Sequence, residues 1–406
     1  MNIAIFTDLY LEVAGGIPSS IKAQKTELKK RGHKVTVFCP GETCDDEDVV
    51  LVPTSFLKVS GAPMGKSPEK IVAYIMEQFP IFSQFDIVHV HYEAEVSIAG
   101  GILARKFKIP LVQTMHGRED MAIAINVPHP FKTLAAAVLA KAHSWYVPRK
   151  VTVKKDNQLA PTLARAKMWT LMVNQANTAD MVLTPSWHFA KKLKKYGVTR
   201  PIEVVSNGVA DALAERDWPV RELKSGETLN LIWNSRVSRE KRIMPFLEAL
   251  KLADIPVSLN VYGGGNQVEK AKRYLERHGL TESVTLHGQV PHEQIMDAMD
   301  EQHLSVTVSY GFDTQGLTLL EAEVTGLPVF FCDPDMKEIV PASGSVCAKD
   351  PSAQAMAREL RVLYSHPERI KKMSLAMMKH RKEVLQSVQI EKLLKVYEEL
   401  LQKPKK

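Results

Sequence analysis

Short apolar runs recur along the chain, separated by longer amphipathic stretches. In the first half they fall at residues 2–7 (NIAIFT), 34–38 (KVTVF), 85–92 (FDIVHVHY) and 109–114 (IPLVQT). In the second half they fall at residues 229–234 (LNLIWN), 257–262 (VSLNVY), 304–308 (LSVTV) and 328–331 (PVFF). Runs this short and this rich in Val, Ile and Leu read as parallel strands buried on both faces. Helical stretches lie between them, such as residues 17–31, with Ile21 and Leu28 on the apolar side and Gly32-His33 as the stop. Strand and helix alternate over 406 residues. The chain is therefore predicted to be α/β, with two doubly wound domains of roughly 200 residues each.

In such sheets, ligands bind beyond the carboxyl ends of the strands, so the exit loops carry the candidate chemistry. Residues 309–328 read SYGFDTQGLTLLEAEVTGLP: a polar loop, a helix start and a Gly-x-Pro stop, flanked by two strand-like runs. Gly316 lets the backbone pass close to a ligand, and the amides of Leu317 and Thr318 would open the helix, which suits a diphosphate. Asp313 precedes that helix and Glu321 lies inside it. The exit loop after residues 229–234 carries Arg236 and Lys241, two cations able to stabilise a departing diphosphate without a metal. Gly15-Gly16 follows the first strand, and the absence of GxGxxG there disfavours dehydrogenase-type dinucleotide binding. His116 falls in the exit loop of residues 109–114, and His91 ends the strand before it, while His89 reads as a core residue. Asp333-Pro334-Asp335 is an Asp-x-Asp, read as a turn after a strand.

Taken in order, these features resemble the retaining glycosyltransferases of family 4, which have the GT-B fold. The quoted features are Gly15-Gly16, His116, Asn207-Gly208-Val209, Arg236 with Lys241, and Asp313 to Glu321 within a Gly-Leu-x-Leu-Leu-Glu-Ala context. The resemblance implies two Rossmann-like domains facing across a cleft, and transfer of a hexose with retention at the anomeric carbon. It implies that Asp313 and His116 lie by the donor sugar and that Arg236 and Lys241 bind the diphosphate. Gly316 with the Leu317 and Thr318 amides would hold that diphosphate as well. Glu321 would bind the ribose, and Gly15, Gly16 and the strand-exit glycine Gly263 would complete the donor site. Three departures stand out: Asp313 replaces the usual Glu, Gln315 stands where Phe is common, and Ser206 takes the hinge Pro position. Gln315 is therefore a candidate for sugar choice. The resemblance implies no cofactor and no metal, with a UDP-sugar favoured over a GDP-sugar as donor. A catalytically inactive GT-B binding protein and a phosphorylase of the same architecture are the other readings, the latter lacking a lysine-bound cofactor motif.

The expected organisation is residues 1–206 as the acceptor-side domain and 207–385 as the nucleotide-sugar domain, with 210–228 a polar linker. Residues 386–406 form a helix returning to the first domain, plus a basic tail. No apolar run reaches 18 residues, the N-terminus carries no basic signal region, and the four cysteines form no CxxC pair. These features predict a cytoplasmic protein with reduced thiols.

Charge adds one further expectation. Residues 141–200 hold twelve Lys and Arg against Asp156 and Asp180, a net of +10 in a chain whose total is +7. Trp145, Tyr146 and Trp169 accompany these cations, and residues 134–140 (LAAAVLA) are too short to span a bilayer. The combination suits an anionic membrane surface reached through segment 126–200, at the inner face of the plasma membrane. A solvated helical face is the simpler reading of the same charges. A lipid or lipid-linked saccharide fits as acceptor, with soluble or cell-wall saccharides as alternatives. No nucleic-acid partner is expected, and the residues carry no signal of oligomeric state.

Overall fold

The computed structural model describes residues 1–10, 15–59 and 62–403. The chain forms two compact units, Met1–Asn207 with Gln389–Lys406, and Gly208–Val388.

Unit 1 opens with β1 (Asn2–Phe6), α1 (Gly16–Lys30), β2 (Lys34–Pro40) and β3 (Val49–Val52). A small antiparallel hairpin, β4 (Thr54–Val59) and β5 (Ala62–Gly65), leads to α2 (Pro68–Gln78). Then follow β6 (Ile87–Val90), α3 (Glu95–Phe107), β7 (Leu111–Thr114), α4 (Glu119–Asn126), α5 (Lys132–His143), α6 (Leu163–Ala176), β8 (Met181–Thr184), α7 (Trp187–Lys195) and β9 (Ile202–Val204). The sheet is parallel throughout, in the order β3-β2-β1-β6-β7-β8-β9. Its topological switch therefore lies between β1 and β6, both buried on the two faces. Helix α3 packs so close to β1 that a Cβ on Gly100 would stand 2.6 Å from Phe6 Cγ, which only glycine avoids.

One surface expectation fails in this unit. Trp169, read from sequence as a membrane-surface aromatic, is 0% exposed. Its ring packs against Phe189 and Tyr196, and its indole N–H donates to the Leu159 carbonyl at 3.3 Å. Helix α6 is covered along most of its circumference, so its aromatic belongs to the core. Ser186 occupies the N-cap position of α7, and its hydroxyl makes no cap hydrogen bond.

Unit 2 begins with α8 (Ala212–Glu215) inside the stretch expected to be a linker. That stretch is packed down: Trp218 is 3% exposed and donates its indole N–H to the Leu213 carbonyl at 2.6 Å. Arg221 is equally buried, and its Nη2 donates to the Met299 carbonyl at 3.1 Å. The apolar face of Trp218 outweighs the polarity of its neighbours. The fold continues through β10 (Leu229–Asn234), α9 (Ile243–Ala253), β11 (Val257–Tyr262), α10 (Val268–His278), β12 (Val284–Gly288), α11 (His292–Ala298), β13 (Leu304–Thr307), α12 (Leu317–Val324), β14 (Val329–Phe331) and β15 (Ser345–Cys347). Helices α13 (Ala353–Ser365) and α14 (Glu368–His380) close the unit. The sheet is parallel, ordered β12-β11-β10-β13-β14-β15, with its switch between β10 and β13.

The last helix, α15 (Gln386–Gln402), runs into unit 1. Ile390, Leu393, Val396, Tyr397 and Leu400 recur at helical spacing and enter the core beside Ile3, Ile5 and Ile87. Pro404, Lys405 and Lys406 of the basic tail lie outside the described residues. Among the described residues no helix is long and apolar enough to cross a membrane.

Candidate active site

In unit 2 the candidate residues gather at the switch between β10 and β13. The loop leaving β10 is held by the turn leaving β11: Val237 N donates to Gly264 O at 2.8 Å. Gly263 sits at φ +141°, and a Cβ there would stand 2.3 Å from Ser235 O. Gly263 is thus required for the two exit loops to touch, a structural reason for glycine at a position the sequence offers for donor binding.

The cations of the β10 loop have different partners. Lys241 Nζ donates to Asp313 Oδ1 at 2.7 Å, and the Ser309 hydroxyl bonds the other oxygen of Asp313. Burial pushes the Asp313 carboxyl up, but Lys241, Ser309 and the charge of Arg236 together hold it below its ordinary value. Asp313 is therefore ionised at neutral pH and fixed in place. Arg236 is 63% exposed on its side chain and pairs with Glu240 at 3.0 Å, four residues on. Glu240 also accepts from the Ser238 hydroxyl at 2.6 Å.

Helix α12 supplies the next group. Gly316 is its N-cap residue at φ 77°, a left-handed conformation that favours glycine, and the Leu317 and Thr318 amides open the helix. Thr318 Oγ1 lies 3.2 Å from Thr307 Oγ1, tying the helix start to the end of β13. Gln315 is buried just before it. Glu321, one turn inside, accepts from Asn234 Nδ2 at 2.9 Å and meets His292 Nε2 at 2.8 Å. The hydrogen bond to Glu321 raises the pKa of His292 against the opposing effect of burial. Neither Asn234 nor His292 is picked out by sequence spacing, since both contacts are tertiary and join three separate elements. Asp333 is spent on backbone, accepting from Gly311 N at 2.6 Å and Asp335 N at 3.1 Å.

In unit 1 the candidate groups are imidazoles. His116 lies just past β7, with Nε2 2.9 Å from His91 Nδ1. His91 packs against His89 with the rings tilted, centroids 3.9 Å apart. His89 in turn bonds Tyr397 Oη at 2.7 Å and Thr114 Oγ1 at 2.6 Å. Burial lowers all three pKa values, His89 to about 3 and His116 to about 4. All three are thus neutral at pH 7. His91 is fully buried. The loop beyond His116 is anchored by Asp120, which accepts from Arg118 Nε at 2.7 Å and Arg165 Nε at 2.8 Å. Gly15 and Gly16 are exposed at the start of α1; Gly15 is extended, a conformation any residue adopts.

Helix α5 presents apolar side chains to solvent. Phe131, Leu134 and Val138 are exposed at three- and four-residue spacing, and Trp145 beyond them is 70% exposed. Lys141, Arg149, Lys150, Lys154 and Lys155 are exposed in the same stretch of chain.

Comparison with known proteins adds the following. Residues 14–213 match the family model described as Glycosyltransferase Family 4, and residues 215–380 match Glycosyl transferases group 1. The alpha-monoglucosyldiacylglycerol synthase of Streptococcus pneumoniae is 26% identical over 352 residues, covering 81% of this chain and 70% of that protein. The enzyme of the same name from Acholeplasma laidlawii is 23% identical over 346 residues, covering 81% and 79%. Among solved structures, Anabaena HepE in complex with UDP superposes with a TM-score of 0.68 at 14% identity, covering 98% of this chain and 100% of that one.

Proposed function

We propose, from the premise that this chain belongs to the family 4 glycosyltransferases and has their GT-B fold, that it moves a hexose from a UDP-sugar to a membrane lipid hydroxyl. In this reading the reaction retains the anomeric configuration and needs no metal. The observation that carries it is the pairing of Lys241 with a buried, ionised Asp313, beside Arg236 and the open end of α12. Two fixed cations and a helix N-terminus do the work a divalent ion would do on a departing diphosphate.

The sugar C1–O bond to the β-phosphate breaks as the acceptor oxygen bonds C1 from the same face. The acceptor proton passes to the leaving phosphate oxygen, so no protein base is needed. Arg236 and Lys241 take up the charge that grows on the diphosphate. Asp313 and neutral His116 hold sugar hydroxyls, and buried Gln315 contributes to sugar choice. Glu321 binds the ribose. Gly15, Gly16 and Gly316 let backbone approach the phosphates.

A UDP donor is supported by the UDP complex of Anabaena HepE, and a lipid acceptor by the two synthases. The exposed Phe131, Leu134, Val138 and Trp145 with their neighbouring cations support peripheral attachment to anionic lipid on the cytoplasmic face.

The test is transfer from UDP-glucose to diacylglycerol in mixed micelles, with and without chelator, and proton NMR of the product anomer. An α-linked glucolipid formed at full rate in chelator is expected. No transfer to any lipid, with UDP still bound, would move the acceptor to a saccharide. Activity lost in chelator and restored by magnesium or manganese would overturn the metal-free reading. Vesicle co-sedimentation checks attachment: binding to anionic vesicles should fall with salt, since screening acts over roughly 8–10 Å. Trp145→Ala should weaken it in a salt-insensitive way, by removing apolar insertion rather than charge.

A further inference from the structure

The two acids of the donor constellation are held differently. Asp313 is fixed by a cation and a hydroxyl, whereas Glu321 is fixed by an amide from the end of β10 and an imidazole from the start of α11. These two donors meet different oxygens: Asn234 Nδ2 meets Oε2 at 2.9 Å and His292 Nε2 meets Oε1 at 2.8 Å. The carboxylate is gripped at both ends and cannot rotate without breaking a bond. An ionised carboxylate offers about four acceptor positions. One donor on each oxygen leaves each oxygen able to accept another.

Asn234 carries a second sign of purpose. Its Oδ1 is buried and has no hydrogen-bond partner among the described residues. A carboxylate can only accept, so the NH2 of Asn234 must face Glu321. The opposite orientation would set Oδ1 against the carboxylate, acceptor to acceptor, so the contact fixes which way the amide points. His292 obeys the same rule. Neutral with its proton on Nε2, or protonated, it still donates to Oε1, so the grip does not depend on its charge.

A carboxylate locked with one open acceptor position on each oxygen matches two adjacent hydroxyls. We propose that Asn234 and His292 are positioning residues that make Glu321 a reader of the vicinal 2′,3′-diol of the donor nucleotide. They thereby confer selectivity for ribonucleotides over nucleotides lacking that diol. The inference rests on the placement of Glu321 at the ribose under the proposed function. The plainer alternative is that His292 and Glu321 form only a helix-to-helix contact with no bearing on the ligand.

Titration calorimetry of the full chain with UDP and with 2′,3′-dideoxy-UDP separates these. Wild type should favour UDP by roughly tenfold or more. His292→Ala should weaken UDP by about tenfold and leave the dideoxy nucleotide within about twofold, so that discrimination collapses. His292→Gln, whose amide can still donate, should restore most of it, which a packing role would not predict. On a Glu321→Ala background, His292→Ala should have no further effect on either nucleotide, as coupled residues behave in a cycle. Because His292 is half-exposed, its variants are expected to fold, and thermal melting checks this. If His292→Ala weakens both nucleotides equally, or neither, while wild type still discriminates between them, the inference is overturned and the donor reading stands. If wild type binds no UDP, the donor reading itself fails and the inference falls with it.

Discussion

The two units place their candidate groups at the carboxyl ends of parallel strands, unit 2 at its topological switch and His116 of unit 1 one strand beyond its own, yet hold them by opposite means. Unit 2 fixes charge with charge: Asp313 against Lys241, Glu240 against Arg236. Unit 1 fixes neutral rings with hydroxyls and with one another, His116 on His91, and His89 on Tyr397 and Thr114. Under the proposed function, a group that faces a diphosphate needs its charge kept, so it needs a counter-charge close by, whereas a group that orients sugar hydroxyls needs a fixed donor or acceptor, and burial keeps an imidazole neutral for that task. Each unit also contains one exception to its own rule, and those exceptions offer the sharpest tests.

The largest effect is expected at the exception in unit 1. Asp120 is fully buried between the guanidinium groups of Arg118 and Arg165. Asp120→Ala would remove the buried carboxylate that both guanidinium groups share, a loss of about 3–5 kcal/mol for a broken buried pair. Denaturant unfolding of the variant should show it. A loss under about 1 kcal/mol would mean that the network is incidental and that His116 needs no such anchor.

Next comes the ionic site of unit 2. Arg236→Ala and Lys241→Ala should each lower transfer by two or more orders of magnitude, roughly 3 kcal/mol of transition-state stabilisation. Lys241→Ala also leaves Asp313 without its cation, so its effect should be the larger of the two. Near-normal kcat/KM in either folded variant would contradict the assignment of the diphosphate to this loop.

The strands, their exit loops and the candidate positions on them were readable because each strand is a short run of buried residues ending in a polar loop. What could not be read is what depends on contacts distant in sequence. Trp169 looked like a surface aromatic because lysines and arginines surround it in sequence, but α6 is buried on most sides by neighbours that no local pattern reveals. Residues 210–228 are polar enough for a linker, yet Trp218 and Arg221 bind them into unit 2. His292 approaches Glu321 from 29 residues away, and Tyr397 reaches His89 from 308 away. The family pattern marks Glu321 as a candidate, but not Asn234 and His292, whose side chains bond its carboxylate.

The neutral imidazoles of unit 1 predict an acid limb. His89 and His116 are depressed by burial to about 3 and about 4, against 6.5 when unfolded. Between those values the unfolded chain binds more protons than the folded one, so stability falls as pH drops below 6.5. Each such group contributes up to about 1.4 kcal/mol per pH unit. Melting temperature should therefore drop between pH 6.5 and 4.5, and His89→Gln, which can still bond Tyr397 and Thr114, should make that drop shallower. An identical slope in the variant would assign the acid limb to other groups.

The exception in unit 2 is a buried acid with no counter-charge among the described residues. Glu323 stands on α12 two residues beyond Glu321, is 3% exposed, and its Oε2 has no partner among the described residues. Burial, aided by the charge of Glu383, pushes its pKa up to about 8. Here the sign is opposite to that of the histidines. Between its ordinary value near 4.5 and about 8, the folded chain holds the proton that the unfolded chain has released, so stability declines as pH rises through that window. Above it, a bare charge sits in the core. Glu323→Gln copies the protonated form and does not titrate. The variant should match wild type at pH 4.5 and melt higher at pH 9, by roughly 2–4 °C for each kcal/mol recovered. A variant equally stable relative to wild type at both pH values would mean that Glu323 finds a partner or water in solution. Glu323 would then be no exception to the way unit 2 holds its candidate charges.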